Sequence, residues 1–430
     1  MVKVSTYGRA IGALNYGELD ERGIEVAKEI EDRNAPGGDF LGWKNYASNL
    51  PNEEVERIIE TAEYIRDNFD ALVVVGIGGS YLGARATIDA IKGLYSDDDF
   101  EIIYLGNTLS ANYTSQVLRH LENKKFAVNV VSKSGTTTEP AIGFRQVKDL
   151  LKSKHDKEYV KHAIYVTTDA KSGALRQEAD AEGYTSFVIP SDIGGRFSVI
   201  TPVGLLPIAC AGIDIREFVR GIRDGEKEYS SFDYRDNPAY YYGATRYLLY
   251  HQMRFTTEMF VSYEMQEKMI EEWLKQLFDE SEGKNGLGML CASGVFTTDL
   301  HSMGQFIQDG APIMFETIFK AEEPISDYTV PYDEENLDNL NYLAGKKGSY
   351  INDQAYLATL HAHTSCHTPA IVLSYPKMDA YNIGNLYYFF FRACAYSAYL
   401  LGVNPFNQPG VDVYKKNMFK LLGKPGYEDK

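Results

Sequence analysis

The sequence predicts an α/β protein made of two doubly wound units, parallel sheets flanked by helices, with helical segments at both ends. Three observations carry this expectation. Apolar runs of strand length recur through the first half: ALVVVGI from Ala71, EIIYLG from Glu101, FAVNVV from Phe126, HAIYVTT from His162 and TSFVIP from Thr185. Helix-compatible segments separate them, and strand alternating with helix is the pattern of a parallel sheet covered on both faces. A second set of runs, GLGMLCAS from Gly286, PIMFETIF from Pro312 and AIVLSYP from Ala370, repeats the theme.

Taken in order, residues 1–70 are expected to be a helical segment packing on the second unit. Within it, Pro51 to Phe69 places Val55, Ile58, Ile59, Ala62, Ile65 and Phe69 on one helical face, and Pro51 suits a first helical position. Residues 71–225 form the first unit. Residues 226–430 form the second, with connecting helices and a C-terminal helical arm. Helical patterns dominate from about 236 to 279. AEEPISDYTVPYDEEN is polar and carries prolines, so it reads as a surface connection. LYYFFFRACAYSAYLLG, Leu386 to Gly402, holds Arg392 and several tyrosines, which suits a buried helix and not a membrane span.

The totals narrow the function classes. A chain of 430 residues is too long for one ordinary core. Hydrophobic content of 44% and charged content of 24% are those of a soluble globular protein. The N-terminus MVKVSTYGRA lacks the basic-then-apolar pattern of a signal peptide. Cys210, Cys291, Cys366 and Cys394 lie far apart with no paired spacing, so a reduced, cytoplasmic setting is expected. A net charge of −17 argues against nucleic acid or an anionic membrane as partner. An anionic small ligand would then need a local positive island.

Several loops offer one. VVVGIGGSYLGARA (Val73 to Ala86) follows the first strand of the first unit. A dinucleotide fingerprint would need glycine where Tyr81 stands, and a P-loop would need Lys and Ser/Thr where Ala84 and Arg85 stand. What remains is a glycine turn presenting backbone N–H groups and Ser80 at a helix N-terminus, a general anion seat. VSKSGTTTEP (Val131 to Pro140) has the same setting and holds five hydroxyl side chains, where an N-cap requires one. In SDIGGRFSVITPVGLLP, Gly194 and Gly195 permit close backbone approach and Arg196 presents a fixed cationic fork. Glu280 stands where the helix of EEWLKQLFDESEGKNG should stop, and DLHSMGQFIQDG places His301 just after GVFTTD. NPFNQPGVDVYKKNMF holds Gln408, Lys415 and Lys416. Singly, each loop also fits an unliganded turn, a cap or a solvated ion pair. HAHTSCH puts His363 and His367 four apart, but with no clear acidic third ligand and no HExxH no metal site is expected there.

As a set, GIGGSYLGARA, SKSGTTTEP, GGRFSVITPVG, ESEGK, the histidine of DLHSMGQ and NPFNQPGVDVYK resemble the glucose-6-phosphate isomerase (phosphoglucose isomerase) family of bacterial type, in order from residue 76 to 415. The resemblance implies two sugar-isomerase (SIS) domains, a cytoplasmic homodimer, a sugar-phosphate substrate, and neither cofactor nor metal. It also implies the reaction, reversible isomerisation of glucose 6-phosphate to fructose 6-phosphate through a cis-enediol(ate). By residue, it implies Glu280 as the general base, Arg196 as the stabiliser of the intermediate, and His301 and Lys415 for ring opening. His301 would come from the neighbouring subunit. It assigns Ser80, Ser132, Ser134 and Thr137 to the phosphate, with Lys133 close by, and Gly79, Gly195, Gln276 and Gln408 to further substrate contacts. Pro409 and Gly135 stand where other branches carry bulkier residues. Two readings compete: a related SIS isomerase for another sugar phosphate, and a non-catalytic sugar-phosphate sensor. A sensor needs the phosphate cradle but not Glu280, His301 and Lys415 together.

The chemistry suits these residue types. A positioned, partly desolvated carboxylate can remove a proton alpha to a carbonyl. The developing oxyanion needs fixed positive charge, which Arg196 and backbone N–H groups would provide. Lys133, Arg196 and Lys415 are thus the candidate positive island. Glu139 is the odd member beside a phosphate. Its expected role is to pair with Arg196 and aim that fork at the reacting carbons.

Overall fold

A computed structural model describes residues 1–95 and 97–427. The chain opens with a strand, β1 (Lys3–Tyr7), inside the segment expected to be helical. Its residues alternate between exposed and half-buried, as an edge strand should, so no solid apolar run announces it. Helix α1 (Arg22–Asp32) and helix α2 (Asn52–Asn68) follow. Helix α2 buries Val55, Ile58, Ala62 and Ile65 as its periodicity requires, and Pro51 sits at its N-cap, one place earlier than expected.

The first sheet holds β2 (Ala71–Val75), β3 (Glu101–Leu105), β4 (Phe126–Val131), β5 (Ile164–Thr168) and β6 (Thr185–Val188), all parallel in the order β3-β2-β4-β5-β6. Strands β2, β4 and β5 are buried at every residue, which explains their unbroken apolar character. The order reverses between β2 and β4. Loops leaving the carboxyl ends of those strands therefore open a crevice there. Helix α3 (Leu82–Lys92) starts beyond the first loop and helix α4 (Thr138–Lys154) beyond the second.

Helices α5 (Ile215–Glu228) and α6 (Pro238–His251) lead to the second sheet. It contains β7 (Thr257–Ser262), β8 (Leu290–Val295), β9 (Met314–Glu323) and β10 (Ala370–Lys377), in the order β1-β10-β9-β7-β8. All pairs are parallel except β1 with β10. Strand β7 lies within the stretch expected to be helical. Glu258 interrupts its apolar run TEMFVS and hides the strand signal, although that side chain is fully buried. Between these strands run α7 (Lys268–Glu282), α8 (Leu300–Asp309) and α9 (Gly348–Ser365), and after β10 come α10 (Ala380–Leu400) and α11 (Val411–Leu421).

Helix α10 is the expected buried helix: every residue except Tyr381 is buried. It packs on α1, α3, α5, α6 and α7, and so joins the two sheets' helical layers into one core. Trp273 of α7 meets Tyr387 edge-on at 4.4 Å, and the Arg392 guanidinium reaches Glu31 of α1 at 2.7 Å. Among the described residues no helix is long and apolar enough to cross a membrane. The connection after β9 is exposed, as its composition suggested.

Helices α5 and α10 cross backbone to backbone. A Cβ at Gly221 would run into the Tyr381 carbonyl, and one at Gly384 into the Phe218 carbonyl. Helix propensity alone favours alanine over glycine by about 1 kcal/mol. The crossing predicts the opposite sign: Gly221→Ala should lower stability by about 2 kcal/mol. A thermal melt reads this directly, and an unchanged or raised midpoint would contradict the close crossing.

Candidate active site

Four loops of the first sheet meet α7, the segment before α11 and α11 itself around a cleft of about 650 Å³. After β2, Gly78 adopts φ of +56° and lies against the Gln276 side chain, so this turn needs glycine. The adjoining Gly79 faces the Gly195 carbonyl with no room for a Cβ, so the glycine-rich loops pack through bare backbone.

After β4, the hydroxyl run forms a compact turn. The Ser132 hydroxyl accepts from the Gly135 N–H at 3.0 Å, and Ser134 accepts from the Thr136 N–H at 3.2 Å and its hydroxyl at 3.0 Å. Thr137 is the N-cap of α4 but makes no capping hydrogen bond. A plain helix cap would use that hydroxyl on the helix. Here it lines the cleft beside the N-terminal end of α4, where the backbone favours an anion. Lys133 donates to the Ser191 carbonyl at 3.0 Å. Asp169, on the loop after β5, also borders the cleft. Backbone N–H groups of Lys171 and Ser172 hold its carboxyl below the usual range, with a smaller contribution from Lys133.

Arg196 is only 3% exposed, and its fork is filled. Nε donates to Ser281 Oγ at 2.9 Å. Nη1 donates to Glu280 Oε2 at 3.1 Å and Gln408 Oε1 at 2.9 Å. Nη2 donates to the carbonyls of Pro405, Asn407 and Glu280 at 2.7, 3.2 and 3.3 Å. Burial lowers the guanidinium's pKa, and the Glu280 charge opposes that shift. Gln276 and Glu280 stand four apart on α7 and present the same face to the cleft. The Gln276 carbonyl oxygen is buried with no hydrogen-bond partner.

The cleft gathers Gly79, Ser80, Ser132, Lys133, Ser134, Thr137, Glu139, Gly195, Arg196, Gln276, Glu280, Gln408 and Lys415 from across the chain. His301 is outside this group, exposed on α8. The expected Glu139–Arg196 pair does not form. Glu139 borders the cleft, but Glu280, Ser281, Gln408 and main-chain carbonyls occupy the N–H groups of the guanidinium. Sequence reasoning missed Asp169, Ser172 and Tyr414 as wall residues. Asp169 and Ser172 follow a strand end, as the recognised loops do, which was the available signal. Tyr414 adjoins Lys415. Burial raises the Tyr414 phenol pKa, and the charges of Glu139 and Glu280 add to that shift. The histidines of HAHTSCH diverge: buried His363 bonds Glu316 at 2.9 Å, while His367 lies 3.0 Å from the Cys366 thiol.

Residues 55–426 match the family model described as phosphoglucose isomerase. The chain belongs to this family. A glucose-6-phosphate isomerase of Staphylococcus haemolyticus is 48% identical over 99% of this chain and 97% of its own length. One of Clostridium novyi is 49% identical over 94% of this chain and 91% of its own. Among solved structures, a hypothetical protein of Thermus thermophilus superposes with a TM-score of 0.88 at 27% identity, covering 98% of this chain and 100% of that one. A glucose-6-phosphate isomerase of Chlamydia trachomatis shares the fold, with a TM-score of 0.83 at 21% identity over 98% of this chain and 88% of its own.

Lys284 braces the turn that carries Glu280, donating to the carbonyls of Glu280 and Ser281, both at 2.7 Å. Burial, then the nearby Arg196 charge, pushes its ammonium down to about 8 from 10.5. The protonated form therefore costs the folded state more than the unfolded chain. Stability should rise as pH climbs from the folded value toward the unfolded one, because only the unfolded chain stays protonated there. The thermal midpoint of the native protein should gain on that of Lys284→Met between about pH 7 and pH 10. A constant difference would contradict the assignment.

Proposed function

We propose that the interconversion of glucose 6-phosphate and fructose 6-phosphate, the reaction of the family to which this chain belongs, runs in this cleft. The phosphate sits on the hydroxyls of Ser80, Ser132, Ser134 and Thr137 at the N-terminal end of α4, with Lys133 supplying nearby charge. Gly79, Gly195, Gln276 and Gln408 orient the sugar. Lys415 and a His301 from the neighbouring subunit exchange protons at the ring oxygen and the anomeric hydroxyl, and so open the ring. Glu280 then moves a proton between C2 and C1 on one face of a cis-enediol(ate), while Arg196 stabilises the oxyanion. No cofactor or metal enters this scheme. Remote binding of the phosphate orients the reacting end.

One observation carries this reading: the Glu280 carboxylate and the Arg196 guanidinium, 3.1 Å apart, share a cleft with the hydroxyl cradle. A base beside its oxyanion partner, with a phosphate seat at a distance, suits an aldose–ketose exchange. The homodimer is supported by His301, which is exposed and outside its own cleft. Tyr328, Tyr332, Leu337 and Tyr342, 67–81% exposed on the connection after β9, give a second copy apolar surface to cover. The reduced thiols fit a cytoplasmic setting.

In a coupled assay, the pure protein should convert fructose 6-phosphate to glucose 6-phosphate; absence of turnover would sink the proposal. Glu280→Gln should lower kcat by about 10³-fold and abolish exchange of the C2 proton with solvent, with sugar-phosphate affinity kept. Retained exchange would remove Glu280 from the base role. Ser134→Ala combined with Thr137→Ala should chiefly raise KM, and a pure kcat loss would contradict the cradle.

A further inference from the structure

Outside the cleft lies a buried polar cluster centred on Arg246 of α6. Arg246 is 1% exposed, and Glu258 and Glu282 beside it are 0% and 1% exposed. Its Nε and Nη2 donate to Glu258 Oε2 at 2.9 and 2.6 Å. Nη1 donates to Ser397 Oγ of α10 at 3.0 Å and also to Glu282 Oε1. Ser397 itself donates to Glu282 Oε1. Glu258 Oε1 accepts from Tyr242 at 2.5 Å and Thr317 at 2.6 Å. None of these residues borders the cleft.

Glu258 alone balances the charge of Arg246 and has its own donors. Glu282 adds a second carboxylate to a dry interior, and burial pushes its pKa up. Charge balance therefore does not account for Glu282, and a buried ionic cluster is weak support for stability. Its place on α7 does give it a use. Phe278 and Glu282 lie four apart, and Arg246 touches both, with its guanidinium 4.0 Å from the Phe278 ring centre. Glu280 is two residues from each and so points to the other side of the helix. Arg246 grips the back of the turn, while Arg196 holds its front through Glu280 and Ser281. Between them, the Asp279 carboxylate accepts the Cys291 N–H of β8 at 3.0 Å. A helix's final turn is where backbone hydrogen bonds run out and fraying begins. Here that turn is fastened to both units.

We infer that Arg246, acting through Glu282, is a positioning residue for Glu280, fixing the last turn of α7 so that the carboxylate addresses the reacting carbons. The inference rests on the reading of Glu280 as the base. Glu282→Ala frees the back of the turn while leaving the Arg246–Glu258 pair intact. It should lower kcat and the rate of C2-proton exchange by about 30-fold, with KM for fructose 6-phosphate within about twofold. Glu282→Gln keeps an acceptor for Arg246 and Ser397 and should recover most of the loss. Unchanged kcat in Glu282→Ala, a KM rise that matches the kcat loss, or equal losses in the two variants would overturn the inference. Should Glu282→Ala fail to fold, Ser397→Ala removes one donor to Glu282 and should show the same split at about fivefold in kcat; unchanged kcat there would overturn it as well. Exchange retained in Glu280→Gln would instead defeat the base assignment. Exchange lost in Glu280→Gln but kept in Glu282→Ala would defeat only the positioning role.

Discussion

Arg196 belongs to the loop after the first sheet, yet every side-chain hydrogen bond it makes reaches at least 84 residues further along the chain. Its five N–H groups are shared among the end of α7, the carbonyls of Pro405 and Asn407, and Gln408. One buried cation thus holds three stretches of chain around one cleft. A lysine at this position would offer three donors from a point charge and could not span the same acceptors. The cleft exists in its present shape because this fork is saturated.

The same contact resolves an electrostatic difficulty. The chain carries a net charge of −17, while its family acts on a sugar phosphate and the proposed mechanism develops an oxyanion. In the proposed binding mode the phosphate meets largely neutral donors, hydroxyls and helix N-terminal N–H groups, with Lys133 adding charge nearby. At the proposed reacting end Arg196 is buried, and its field there is strong. The price is that Arg196 is desolvated, and Glu280 beside it offsets part of that cost. The proposed base and the proposed oxyanion stabiliser are therefore paired with each other.

Much of this was legible in the sequence because its signals are local. Strands β2, β4 and β5 are buried on both faces and must be apolar throughout, so they read as unbroken runs. The loops after β2 and β4 carry glycines and hydroxyls that a plain turn does not need. The misses have physical causes of the opposite kind. Strand β1 is an amphipathic edge whose partner, β10, lies at the far end of the chain. Strand β7 is disguised by Glu258, a charge that only its tertiary partners Arg246, Tyr242 and Thr317 make tolerable. An acid beside a phosphate seat calls for a cationic partner, which pointed Glu139 to Arg196, but a side-chain pairing depends on which acceptor wins the fork. Glu280 and Gln408 win it through contacts spanning 84 and 212 residues.

The proposed mechanism requires the substrate to span the cleft, with its phosphate on the first-sheet hydroxyls and its reacting carbons beside the Arg196–Glu280 pair. A crystal structure with a phosphorylated aldonate, whose carboxylate mimics the enediolate, tests this most directly. The phosphate is predicted on Ser132, Ser134 and Thr137, and the carboxylate at the Arg196–Glu280 end of the cleft. An analogue bound in the reverse sense, or outside the cleft, would contradict it.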